Sequence, residues 1–194
     1  ARYIDVYDFD IKEPGNVCRS EYEIFSGIGD KSSELQTLLF RASPFVTCNI
    51  RNSLFDYLAK SLNPEDVRNV LNEYDVIFDC TTDNHLMVLL DSLSLKSQVI
   101  NLSITNHAKE LTCVFSPQIT RCIDFLYYKL LTLDDSDMFN PSGCWNPTFK
   151  ASYNDISLMV QFALKHIIRM LSSLEPISNF YLDEKEGSLT IHRL

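Results

Sequence analysis

Two apolar runs in this chain end in carboxylates, and the residues between them carry helix signals. Val6-Tyr7-Asp8-Phe9-Asp10 and Asp75-Val76-Ile77-Phe78-Asp79 each read as a short buried strand that delivers acid to its carboxyl end. Between them, Leu35, Leu38 and Leu39 recur at helical spacing up to Ala42, ahead of Pro44, and Val67, Val70, Leu71 and Tyr74 do the same after Asn63-Pro64. Asn63 is a natural cap and proline is pre-shaped for the first helical position. Strands that alternate with helices need crossover connections, so the expected class is α/β with a mostly parallel sheet and flanking helices. Ligands of such sheets sit beyond the carboxyl ends of the strands. Asp8 and Asp10 then lie where a ribose or a cation could be held, and Asn16, Arg19 and Lys31 follow with groups suited to phosphate. On spacing alone, a surface loop with ordinary charges fits these residues equally well.

Further along, strands are expected at 45–50, 98–104 and 111–115, and helices at 84–95, 118–131 and 154–174. The first of the earlier helices is expected to be capped by Ser32 or Ser33. The longest helix carries Ile156, Met159, Ala163, Ile167 and Met170 along one face. Residues 134–147 read as a polar, proline-containing loop. Residues 179–193 read as a hairpin turning at Glu184-Lys185-Glu186-Gly187.

With 194 residues, 45% of them hydrophobic, the chain can bury a real core as one domain with a small appendage. A net charge of −9 argues against nucleic acid or an anionic membrane as the main partner. No apolar run has the length of a membrane span and no signal-peptide pattern opens the chain, so a cytoplasmic protein is expected. Six cysteines, at 18, 48, 80, 113, 122 and 144, form no C-x-x-C pair, which argues against a zinc ribbon and a disulfide scaffold. No G-x-S-x-G elbow occurs. His85 and His107 lack metal-ligand spacing, and His166 falls near the apolar face of the long helix, a packing position.

Asp8-x-Asp10, Asn16-x-x-Arg19, Lys31 and Asp79-Cys80-Thr81-Thr82-Asp83-Asn84 resemble, in order and approximate spacing, the HesA/MoeB/ThiF family, which includes the ubiquitin-activating-type enzymes. The resemblance covers roughly residues 1–115. It implies a Rossmann-like fold and ATP-dependent adenylation of the C-terminal carboxylate of a protein or peptide. It also implies that Asp8, with Asp10 beside it, grips the ribose, that Asn16, Arg19 and Lys31 contact the phosphates, and that Asp83 holds Mg²⁺. The residue types suit those roles, since a guanidinium forks onto phosphate, an ammonium is a point charge, and a carboxylate suits a hard cation. The family usually reads Asp-Ala/Cys-Thr-Asp-Asn, and the extra threonine here leaves Asp83 or Asp79 as the metal ligand. Asn84 directly after Asp83 favours Asp83; the other reading of Asp79 is a strand-end carboxylate capping the next helix.

Gly143-Cys144-Trp145-Asn146-Pro147-Thr148-Phe149 is similar to a segment of bacterial family members fused to a ubiquitin-conjugating-like domain. That similarity implies that Cys144 takes the activated carboxylate as a thioester. A loop thiol just ahead of a helix suits a nucleophile, while a loop anchored by Trp145 and Phe149 with an incidental thiol is the packing alternative. Only five glycines occur, none in a G-x-G-x-x-G, and the chain opens without methionine. By the resemblance, the first nucleotide-binding βα unit precedes Ala1. Residues 1–194 are then the C-terminal part of one adenylation domain, with 132–150 the catalytic-cysteine loop and 176–194 a hairpin appendage. The resemblance further implies a homodimer whose partner arginine reaches the phosphates, and a conjugating domain upstream or in trans. Two rival readings are a non-catalytic binding or scaffold module of the same fold and a nicotinamide-dependent oxidoreductase fragment. The run of Asn16, Arg19 and Lys31 weighs against the latter.

Overall fold

The computed structural model describes residues 1–12, 20–22, 27–51, 54, 63–81, 83–130 and 151–194. Contacts divide the chain into two compact units, Ala1–Val67 and Arg68–Leu194.

The first unit opens with β1 (Tyr3–Tyr7), followed by β2 (Ile11–Lys12), β3 (Gly29–Asp30), α1 (Lys31–Ala42) and β4 (Thr47–Arg51). β1 and β4 pair in parallel, Tyr3 against Thr47 through Tyr7 against Arg51, with α1 in the connection between them. This is the βαβ unit that the alternating signals predict. β1 is half-buried rather than buried, and it ends at Tyr7, so Asp8 and Asp10 follow the strand instead of finishing it. β4 begins later than expected because residues 43–46 make a turn, in which the Val46 N–H donates to the Ser43 carbonyl at 3.2 Å. Asp30, not Ser32 or Ser33, precedes the first turn of α1, because β3 runs directly into the helix and leaves no room for a later start.

α2 (Pro64–Leu71) spans the division between the units, and its entry is as expected: Asn63 Oδ1 accepts from the Glu65 N–H at 3.0 Å. The second unit then runs β5 (Val76–Asp79), α3 (Asn84–Ser92), β6 (Gln98–Thr105), a 3₁₀ turn (Asn106–Ala108), β7 (Glu110–Phe115), α4 (Arg121–Leu130), α5 (Tyr153–Leu171), β8 (Phe180–Lys185) and β9 (Ser188–Arg193). The five strands form one mixed sheet in sequence order. β5 and β6 are parallel across α3, and from β6 onward every pairing is antiparallel. Among the described residues, parallel pairing is thus confined to the two crossovers. The C-terminal hairpin forms where predicted and continues the sheet through β7, Leu111 opposite Leu182. Its two-residue turn places Glu186 (φ 52°) and Gly187 (φ 78°) in the left-handed region that such turns require.

Strand alternation divides this sheet's faces. Ile100, Leu111, Cys113, Phe115, Phe180 and Leu182 lie on one face under the Met159, Ala163, Ile167 and Met170 stripe of α5, all fully or nearly fully buried. That spacing of four, four and three residues is the helical repeat read from the sequence. The other face holds Asn101, Ser103, Thr112, Val114 and Tyr181; Cys122 and Phe125 of α4 pack there, Phe125 with its ring 5.1 Å from Tyr181. Two helices end earlier than their hydrophobic pattern, α3 at Ser92 and α5 at Leu171. Ser94 (φ 48°) and Ser173 (φ 58°) turn left-handed just beyond them and stop the helical ladder. None of the described helices is long and apolar enough to cross a membrane.

Candidate functional site

Two groups of acidic residues, each following a strand's carboxyl end, are candidates. In the first unit, the two-residue ladder of β2 on β3 brings Lys31 back beside Asp10, 21 positions earlier in the chain. The Lys31 N–H donates to the Asp10 carbonyl at 3.0 Å, and Lys31 Nζ meets Asp10 Oδ2 at 2.7 Å. Asp8 Oδ1 accepts from the Asp10 N–H at 2.8 Å, an Asx turn that fixes the two carboxylates relative to one another. Lys31 is largely sheltered and Asp10 half-exposed, so the ammonium is oriented while one side of the group stays accessible.

Three residues that the sequence reading passed over belong to this group. Lys12 is almost fully buried and pairs with Glu34 of α1. The Tyr22 hydroxyl is pushed above its ordinary value by burial first, then by the Asp8 charge, with Glu34 and Asp10 adding and Lys31 opposing. Asp8, Asp10, Tyr22, Lys31 and Glu34 therefore share one electrostatic neighbourhood. The sequence carries no local signal for this grouping, and nothing local marks Lys12 as buried.

In the second unit, β5 delivers Asp79 and the following turn delivers Asp83. The two carboxylates have different surroundings. Asp79 is buried and both its oxygens are engaged: Oδ1 accepts from the Thr81 N–H at 3.0 Å and the Thr81 hydroxyl at 2.7 Å, and Oδ2 accepts from Asn101 Nδ2 at 2.9 Å. Asp83 is the N-cap of α3, where Oδ1 accepts from the His85 and Leu86 N–H groups at 2.8 and 3.2 Å. Asp83, not Asp79, caps the helix, so the capping role given to Asp79 in the alternative reading belongs to its neighbour. The described residues put no hydrogen bond on Asp83 Oδ2.

Among the described residues, no group of three His, Cys, Asp or Glu side chains could hold a metal by itself. A hard cation such as Mg²⁺ keeps most of its waters and takes one or two carboxylates together with substrate phosphates. The donor set of Asp83 fits that pattern, and that of Asp79 does not.

Asn16, Arg19 and Cys144 lie outside the described residues. His85 is exposed on the first turn of α3. The ring of His166 stands edge-on to Phe180 at 4.9 Å, and its Nδ1 is 3.3 Å from Glu175. Those contacts give it the packing position expected from its place on the helix. Cys113 and Cys122 are buried core residues, and burial pushes the Cys122 thiol up to about 11, with the Asp79 charge adding and the Ser103 hydroxyl opposing.

No family model matches the chain. Over 201 aligned residues it is 25% identical to the ATP-dependent ubiquitin transferase-like protein Cap2 of Enterobacter hormaechei subsp. hoffmannii, a match that covers 95% of this chain and 31% of that protein. Among solved structures, it is similar to E. coli MccB with AMPCPP and MccA, at a TM-score of 0.61, 11% identity, 98% of this chain and 55% of that one. It is also similar to E. coli MccB with succinimide, at 0.62, 10% identity, 98% and 56%. The third is PaaA, at 0.56, 12% identity, 99% and 63%. The chain thus spans about a third of the curated relative's length (31%) and little more than half of the solved chains'. The solved proteins share its fold.

Proposed function

We propose that this chain is part of an ATP-dependent adenylating enzyme of the HesA/MoeB/ThiF type, which activates the C-terminal carboxylate of a protein or peptide. One observation carries the reading. The fold that this chain shares with MccB, a protein solved with AMPCPP, sets Asp8, Asp10 and Lys31 together just beyond the carboxyl end of β1. AMPCPP is an ATP analogue, and strand carboxyl ends are the ligand side of such a sheet. The relative named as an ATP-dependent ubiquitin transferase-like protein supports the same class.

In this reading Asp8 accepts the ribose hydroxyls, and Lys31, oriented by Asp10, donates to phosphate oxygen together with Asn16 and Arg19. Asp83 would hold Mg²⁺, which would supply charge neutralisation at the phosphates. The carboxylate substrate needs no protein base, since it is already ionised at neutral pH; what the site must do is align it and counter negative charge. The carboxylate attacks the α-phosphate and expels pyrophosphate; the Cys144 thiolate then attacks the acyl-adenylate carbonyl, AMP leaves and a thioester forms, and the acceptor is a conjugating domain upstream or in trans. A homodimer that lends an arginine completes the proposed assembly.

The test is ATP–pyrophosphate exchange with the full-length protein and a substrate that carries a free C-terminus. Asp8→Ala, Lys31→Ala and Asp83→Asn should each lower exchange by about a hundredfold or more, as removal of a charge-stabilising group in a preorganised site does. Cys144→Ala should remove any reducible adduct with the substrate. Unchanged exchange in Asp8→Ala and Lys31→Ala would overturn the reading and leave a binding module of the same fold.

A further inference from the structure

Thr81, the first of the two threonines in the acidic motif, occupies a defined place in a hydrogen-bond ladder. Thr81 donates its hydroxyl proton to Asp79 Oδ1 at 2.7 Å, and Thr81 Oγ1 itself accepts the Asp83 N–H at 3.2 Å. Asp83 in turn accepts the His85 and Leu86 N–H groups. The chain from β5 to the first turn of α3 is therefore stitched at Asp79, Thr81, Asp83 and His85, each step two residues on.

The inner end of the ladder is anchored in the sheet. Asp79 lies opposite Asn101 in the parallel register, and Asn101 Nδ2 holds its second oxygen. Asn101 Oδ1 accepts the Ser103 hydroxyl at 2.9 Å, and the Cys122 thiol donates to Ser103 Oγ at 3.7 Å. Asp79, Asn101, Ser103 and Cys122 are all buried. Their polar groups satisfy one another, as buried groups must, and such networks hold one geometry because any break strands a desolvated atom.

We propose that Thr81 is a positioning residue, which transmits the fixed position of Asp79 to the Asp83 carboxylate and aims Asp83 Oδ2 at a divalent cation. This rests on the reading of Asp83 as the Mg²⁺ ligand. The hydroxyl, which both donates and accepts, ties the start of the Asp83 turn to the strand-end carboxylate. Outer partners of a metal ligand typically change metal affinity by 10–100-fold when removed. Thr81 is exposed, so its replacement removes no buried apolar contact, and Asp79 Oδ1 keeps the Thr81 N–H.

The experiment compares Thr81→Val, which keeps the shape and loses the hydroxyl, with Thr81→Ser, which restores it, in the full-length protein. Mn²⁺ binding in the presence of AMPCPP is followed by electron paramagnetic resonance, and amide hydrogen exchange is followed without nucleotide. Thr81→Val should weaken Mn²⁺ binding by about tenfold and speed exchange at the Asp83, His85 and Leu86 amides, and Thr81→Ser should recover both. If Thr81→Val binds Mn²⁺ like the parent while Asp83→Asn does not bind it, the positioning role is wrong and the metal reading stands. If Asp83→Asn binds Mn²⁺ like the parent, the metal reading fails and takes the positioning role with it.

Discussion

The two compact units differ in what their described side chains bury. In Arg68–Leu194 the buried set is mainly apolar: Ile100, Leu111, Val114, Ile167, Phe180 and Leu182 are each fully excluded from solvent. In Ala1–Val67 the buried described residues are Lys12, Ser32 and Val67, while Phe45, Ile28 and Phe9 are 86%, 76% and 69% exposed. That unit is organised by charge and hydrogen bonding: Lys12 with Glu34, Lys31 with Asp10, and Asp5 with Asn49 and Arg51 across the β1–β4 pair. Apolar content does not by itself make a core. A ligand site needs side chains fixed in direction more than it needs side chains removed from water, and ion pairs at strand ends supply direction. In the second unit the central strand β7 is instead covered on both faces, by α5 and by α4.

The largest effect that can test this contrast is truncation of an aromatic side chain in each unit. Phe180→Ala should cost about 3–5 kcal/mol, because it removes a fully buried ring and leaves a cavity. Phe45→Ala should stay within about 0.5 kcal/mol. Urea unfolding of both variants measures the two, and equal losses would show that Phe45 is covered and the contrast false.

Next comes the buried pair of the first unit. Lys12→Met keeps the length and removes the charge that faces the half-buried Glu34 carboxylate; losing a charge-assisted contact of a buried ammonium should cost about 1.5–3 kcal/mol. A change below about 0.5 kcal/mol, the surface range, would mean that Lys12 behaves as an exposed lysine. The polar organisation of the unit would then lose its main buried element.

The smallest effect is a pH dependence from a buried thiol of the second unit. Burial holds the Cys122 thiol protonated in the folded state up to about 11, whereas an unfolded cysteine ionises near about 8.5. A raised folded value stabilises the folded state fully below the unfolded one, so this contribution is complete at neutral pH and is lost as the pH climbs from about 8.5 toward 11. Unfolding free energy measured at about pH 7.5 and again at about pH 10 should fall for the parent, and Cys122→Ala should flatten that fall. At neutral pH Cys122 should also alkylate more slowly than half-buried Cys48 of β4. A Cys122 that reacts as fast as Cys48 would mean that the α4 face of the sheet opens readily.

Local order was legible in the sequence. The α5 stripe, the Asn63-Pro64 helix entry, the Glu186-Gly187 turn and the acids that follow β1 and β5 each depend on residues within a few positions of one another, so periodicity and cap chemistry suffice to find them. Ser94 and Ser173 escaped notice because a left-handed serine has no composition signal. What only the tertiary structure decided is pairing at a distance. The burial of Lys12 depends on α1 presenting Glu34 to it. The joining of the hairpin to β7, which extends the sheet beyond its antiparallel β6–β7 pair, depends on long-range register. The difference between Asp79 and Asp83 rests on Asn101 lying opposite Asp79. A carboxylate looks the same in sequence whether its oxygens are taken or open. Three-dimensional contact supplies the partners, and the partners determine whether it serves the fold or a ligand.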